Sequence, residues 1–138
     1  MNTHCLRLAP GQDLKRELER ITTEMQWSAA FILTGIGSLT TASIRFADAD
    51  RIETVEGPLE ILSLGGTLSL DGSHIHILVA DSVGASQGGH LKEGAMIRTT
   101  AEIVIGVLSE WQFSRKLDPE TGCQELTVEH LAKPGSSG

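Results

Sequence analysis

The clearest periodicity in the chain starts after Pro10-Gly11. Leu14, Leu18, Ile21 and Met25 recur at i, i+4, i+7 and i+11, one apolar stripe along a helix. Lys15, Arg16, Glu17, Glu19, Arg20 and Glu24 fill the other faces, and Lys15 and Glu19 stand four apart with opposite sign. The stripe predicts an amphipathic helix laid on a flat surface, its charges solvated.

The rest of the pattern is that of strands. Residues 27–36 (WSAAFILTGI) form an apolar run suited to a buried strand. After a break at Gly37, residues 38–46 alternate, with Leu39, Ala42 or Ile44, and Phe46 as inward positions. Residues 59–70 (LEILSLGGTLSL) alternate with period two, and Gly65-Gly66 marks a bulge or a close backbone approach. Further strands are predicted over 74–80, 99–108, 112–117 and 124–128, the last two joined by a turn at Asp118-Pro119-Glu120-Thr121-Gly122. One N-terminal helix with about seven to nine short strands predicts an α+β domain on a largely antiparallel or mixed β-sheet. A single helix covers only part of one sheet face, so the remainder calls for further sheet or another subunit. The domain is expected over residues 1–130, with 131–138 a tail whose KPGSSG end (133–138) is expected to be disordered.

Composition narrows the function. The chain has 138 residues, 40% hydrophobic and 21% charged, which suits one globular domain. Aromatics are 4% with no Tyr, so a stacking platform for single-stranded nucleic acid is not expected. The net charge of -7 opposes autonomous DNA binding, which is driven by neutralising phosphates. Cys5 and Cys123 have no CxxC spacing and are expected to be reduced thiols. No signal peptide is read at the N-terminus, no apolar run is long enough to cross a bilayer, and the expected compartment is the cytoplasm.

The informative stretch is residues 71–94, DGSHIHILVADSVGASQGGHLKEG, which holds three of the five histidines. Residues two apart on a strand share a face, so His74 and His76 project together while Ile75, Ile77 and Val79 face the core. Asp81-Ser82-Val83-Gly84 has the residues of a β-turn. If Asp81 stands opposite Ala85, His76 falls across from His90 and His74 lies diagonal to it. Gly84, Gly88 and Gly89 read as loop or bulge residues, and a bulge at Gly88-Gly89 would shift that register. Three converging imidazoles with a fourth position open are the donor set of a catalytic zinc. The competing reading is three half-buried polar residues hydrogen-bonding across a sheet or a subunit interface. His4 and His130 are expected to lie on the surface.

Several motifs resemble one family. They are Gly57-Pro58-Leu59-Glu60-Ile61-Leu62-Ser63-Leu64-Gly65-Gly66, His74-Ile75-His76, Gly88-Gly89-His90, and Thr99 to Gly106 (TTAEIVIG). With the opening LRLAPGQDLKREL and Gly35-Ile36-Gly37-Ser38-Leu39, they resemble the PPC (plants and prokaryotes conserved) domain from about Leu6 to Leu117. The resemblance implies a helix against a mixed, largely antiparallel sheet, assembled as a homotrimer. Prokaryotic members are commonly labelled DNA-binding by extension from plant relatives that carry an AT-hook. No Arg-Gly-Arg-Pro segment occurs here, and Pro58 and Leu59 replace the Arg and Phe of the plant Gly-Arg-Phe-Glu-Ile-Leu motif. The fold is also similar to that of acetolactate decarboxylase, a zinc enzyme whose metal is held by an HxH pair and a later histidine. By that resemblance His74, His76 and His90 are metal ligands and Zn²⁺ is the implied cofactor.

Three functions are therefore expected in order. The first is a homotrimeric module binding zinc or a small ligand in a regulatory role. The second is a zinc enzyme acting on a small 2-oxo or 2-hydroxy acid, with Glu60, Glu93, Arg45 and Arg98 as accessory candidates that read otherwise as ordinary surface residues. The third is DNA binding, for which Arg115-Lys116 is the one basic doublet near a strand end. No nucleotide-cradling motif or nucleophilic triad is present, and no membrane role is expected.

Overall fold

The computed structural model describes residues 1–132; of the tail expected over 131–138, residues 133–138 lie outside them, and the Leu131 N–H donates to the Glu110 carbonyl at 2.8 Å. Eight strands and one helix follow in the order β1 (Asn2–Leu8), α1 (Leu14–Glu24), β2 (Ala30–Arg45), β3 (Glu53–Ser69), β4 (Gly72–Ala80), β5 (Ser86–Leu91), β6 (Met96–Val107), β7 (Trp111–Leu117) and β8 (Gln124–His130). A six-stranded sheet runs β1-β6-β2-β3-β4-β5, and β7 and β8 form a separate hairpin. Every pairing is antiparallel, so the mixed character allowed from sequence is not found. β5 also returns to the far end of β2, where Ile44 meets Leu91 and Arg45 meets His90. β2, β3, β4 and β5 thereby curl around a shared interior.

That interior is the product of strand alternation. Leu39, Ala42 and Ile44 of β2 are fully buried, as are Leu68 of β3, Ile75 and Val79 of β4, and Ile103 and Ile105 of β6. Phe46 is only partly buried and packs at the margin. The expected break at Gly37 does not end the strand. β2 runs through it, and irregularities in its pairing with β6 absorb the mismatch. β1 had no strand assignment from the pattern, although Leu6 and Leu8 alternate; it is an edge strand lying along β6.

α1 buries Leu14, Leu18 and Thr22, with Ile21 packed partly against the core. Met25, assigned to the stripe, is instead the C-cap and half exposed, because the helix ends before its side chain turns inward. The predicted Lys15–Glu19 pair forms at 2.7 Å. Asp13 caps the helix. One carboxylate oxygen accepts the Arg16 backbone N–H at 3.1 Å and the other accepts that of Gly94 at 2.7 Å. Asp13→Ala removes both acceptors. The expected cost is about 1–2 kcal/mol, read in thermal melts as a fall in Tm of roughly 3–8 °C. An unchanged Tm would mean that water replaces both bonds.

Candidate metal centre

The turn after β4 forms as its sequence requires. Gly84 N–H donates to the Asp81 carbonyl at 3.0 Å, and the Asp81 side chain accepts the N–H groups of Val83 and Ala85. The Asp81 N–H donates to the Ala85 carbonyl, which sets the hairpin register and places His76 directly opposite His90. Gly88 and Gly89 are not a bulge; they are regular ladder positions of β5. Glycine is needed there because other backbone crowds in. A Cβ on Gly89 would stand 2.6 Å from the Arg45 carbonyl oxygen and 2.9 Å from the Ile44 side chain. Gly66 of β3 serves the opposite flank, since its Cβ would collide with the His74 carbonyl oxygen and come within 2.8 Å of Ile75 Cα. Close approach, and not a bulge, is thus the role of Gly66; the irregularity in β3 falls between Ile61 and Ser63.

His74 Nε2 lies 3.2 Å from His76 Nε2 and 3.2 Å from His90 Nδ1. The His74 and His90 rings stack with centroids 5.0 Å apart, and His76 stands edge-on to both. Hydrogen bonding accounts poorly for this convergence. A ring nitrogen carries either a proton or a lone pair, so His74 Nε2 cannot serve two neighbouring nitrogens well. The same separations are compatible with a shared metal ion. Three nitrogens at ~2.0–2.1 Å from a tetrahedral zinc stand roughly 3.3 Å from one another. The three residues can therefore hold a metal, each offering one ligand atom. His74 and His76 are exposed and His90 partly so, which leaves the cluster open on its outer side.

Although His74 is exposed at its outer side, partial desolvation by the surrounding atoms lowers the proton affinity of its imidazole, helped by the positive fields of His76 and Arg115. Burial also lowers that of His90, followed by the fields of Arg45, His76 and His74. Both shifts favour the neutral, lone-pair form that a metal requires. They also fix the sign of a pH effect. The unfolded chain takes up protons on these imidazoles at a higher pH than the folded chain. Stability of metal-free protein is accordingly full above about pH 6.5 and falls as the pH drops below it. The Tm is expected to decline between pH 7 and 5.5, and less so in His74→Gln/His90→Gln; equal slopes would remove the imidazoles as the cause.

The other candidates scatter. Arg45 is the cross-strand partner of His90 and lines a cleft beside the triad. Glu60 is exposed opposite Ala80, Glu93 pairs with Arg16 at 3.2 Å, and Arg98 is exposed on β6; none of the three lines either cleft that borders the histidines. His130 is exposed beside Trp111. His4, expected on the surface, is half-buried with its ring edge-on to Trp27. Two further basic residues line the cleft: Lys92, which the sequence reading does not single out, and Arg115, singled out there only as half of a basic doublet. Lys92 had a signal, standing two residues beyond His90 and so on the same face of extended chain.

An antiparallel α+β domain with an exposed three-histidine cluster on one hairpin defines the class. The chain belongs to the Plants and Prokaryotes Conserved (PCC) domain family, whose model matches residues 1–109. A protein from Salmonella cholerae-suis (Salmonella enterica) has the same fold, with a TM-score of 0.91, 38% identity and 94% of each chain covered. A proposed DNA-binding protein from Bacteroides thetaiotaomicron superposes with a TM-score of 0.83 at 25% identity over 91% of each chain. A metal-containing protein from Archaeoglobus fulgidus does so with a TM-score of 0.76 at 32% identity, covering 92% of this chain and 94% of that one. Two curated relatives, both bifunctional GlmU proteins of Synechococcus, are 47% and 48% identical over 133 and 127 residues. This chain spans about a fifth of their length, 21% and 20%.

Proposed function

We propose that the chain is a homotrimeric PPC-family protein that holds zinc through His74, His76 and His90 and acts as a binding or regulatory module. The observation that carries the metal is the pair of 3.2 Å nitrogen separations meeting at His74 Nε2. The metal-containing Archaeoglobus relative supports it. Three imidazoles without a thiolate or a carboxylate suit zinc, and when bound the metal would supply a Lewis acid with an open position.

The trimer has its own support. Ile36 of β2, Leu62 of β3 and Leu78 of β4 lie on neighbouring strands, Leu78 opposite Ser63. All three are exposed, with relative accessibilities of 54%, 53% and 38%. Such an apolar row across adjacent strands suits a subunit interface. Among the described residues no helix is long and apolar enough to cross a membrane. Cys5 and Cys123 stand free and exposed, which suits a reducing compartment, and we place the chain in the cytoplasm.

An enzyme acting on a small oxygenated substrate is the second reading, favoured by the openness of the cluster and the cleft beside it. DNA binding, suggested by the Bacteroides relative, ranks third against a net charge of -7.

Light scattering should give a mass three times the 14.8 kDa of one chain. Zinc at about 100 times its Kd should stabilise metal-free protein by about 2.7 kcal/mol, a rise in Tm of roughly 10 °C. A monomer would overturn the trimer, and an unmoved Tm would overturn the metal site.

A further inference from the structure

We propose that the cleft beside the histidine triad is an anion subsite. In it Arg45, Lys92 and Arg115 hold the carboxylate of a small organic acid that carries a second oxygen donor facing the metal. This rests on the reading of His74, His76 and His90 as a metal site. The cleft has a volume of about 600 Å³, and His74 and His90 form part of its wall together with the three cations.

Each cation is delivered by the register of a histidine. Arg45 pairs across the ladder with His90. Lys92 follows His90 by two residues, and its backbone N–H donates to the Ser43 carbonyl at 2.9 Å. Arg115 comes from β7, beyond the residues that the family model matches. It is fastened to the site twice. Its backbone N–H donates to Asp71 at 2.8 Å, and its Nη2 donates to the Thr67 hydroxyl at 2.9 Å. Thr67 is itself the cross-strand partner of His74. Two strands and a separate hairpin therefore bring three positive charges to the side of one metal-ligand cluster.

None of these charges is held in a direct ion pair. Among the described residues none of the three makes an ion pair within 4.0 Å, whereas Lys15, Arg16, Arg20 and Arg51 all do. The cleft also contains Asp71, which accepts the Arg115 backbone N–H, and Glu125, which accepts from the Thr121 hydroxyl; both keep their charge, so the three cations leave the cleft one positive charge in excess. Arg45 spends one Nη1 bond on the Ala49 carbonyl and Arg115 one Nη2 bond on Thr67. A guanidinium carries five N–H donors, so each keeps most of its fork for an oxyanion. The excess positive charge and the free guanidinium donors favour a carboxylate. A second oxygen donor on the same small molecule can then face the open side of the triad, so metal and cations act on one ligand. Three cations in a concave site on a chain of net charge -7 suit a small anion and not the phosphate stripe of a duplex.

The test is calorimetric titration of lactate, and separately of inorganic phosphate, into three samples. These are zinc-loaded wild type, metal-free wild type and zinc-loaded Arg45→Gln/Lys92→Gln, with zinc per chain and Tm measured on each. Lactate is expected to bind zinc-loaded wild type at least tenfold more tightly than either other sample, with the variant still folded and its zinc content unchanged. Equal lactate affinity in the variant and wild type would overturn the proposal. Tighter binding of phosphate than of lactate would overturn the acid class. Wild type that takes up no zinc would overturn the metal reading by itself. Lactate binding that then still depended on Arg45 and Lys92 would keep the anion subsite, and its loss would overturn that too.

Discussion

Replacing His76 with alanine is expected to weaken zinc binding at least about 100-fold while leaving the fold in place. Structural zinc sites bind with apparent free energies of about 10–16 kcal/mol over four ligands, or roughly 3 kcal/mol for each. A loss of that size is a factor of roughly 100 in Kd. The side chain is exposed, and its neighbours Ile75 and Ile77 carry the packing of β4. Removing the imidazole therefore takes a ligand and little else, and the Tm of the metal-free protein should move by no more than about 0.5 kcal/mol would move it. Competition against a chromophoric chelator reads the affinity. His130→Ala, at the end of β8 beside Trp111, should leave it unchanged. Equal weakening by both variants would remove the special status of His76.

Gly66→Ala should damage fold and site together. The added methyl meets the carbonyl oxygen of His74 and stands 2.8 Å from Ile75 Cα. Both atoms are backbone, so no side chain can rotate away and β3 and β4 must separate. Overpacking of this kind costs about 1–3 kcal/mol, and zinc affinity should fall as well because His74 moves with its strand. The nearby Gly65→Ala is the control, with open space around its Cβ position. A Gly66→Ala protein with wild-type Tm and wild-type zinc affinity would show that the two strands can part without cost.

The site was more legible than the sheet that carries it, for a physical reason. Period two fixes which side of β4 its histidines share, and a turn with Asp81 first and Gly84 last fixes the register, so two local rules suffice to bring His76 opposite His90. The continuity of β2 through Gly37 obeys no local rule. It depends on β3 and β6 flanking the break, and on β5 returning to Ile44 and Arg45. Gly88 and Gly89 read as loop or bulge residues and are ladder positions for the same reason. What demands glycine there is the neighbouring strand's backbone, which the order of residues does not display. Arg115 stands out in the sequence only as half of a basic doublet, because only the docking of β7 onto Thr67 and Asp71 brings it to the histidines. Lys92 obeyed the two-residue rule that paired His74 with His76, and extending that rule past His90 would have found it.

The most direct measurement is elemental analysis of untagged protein purified without chelators, expressed per chain. The account predicts close to one zinc per chain. Protein that contains no metal, and retains none after zinc is added and the excess removed, would contradict it and leave the three histidines as structural residues.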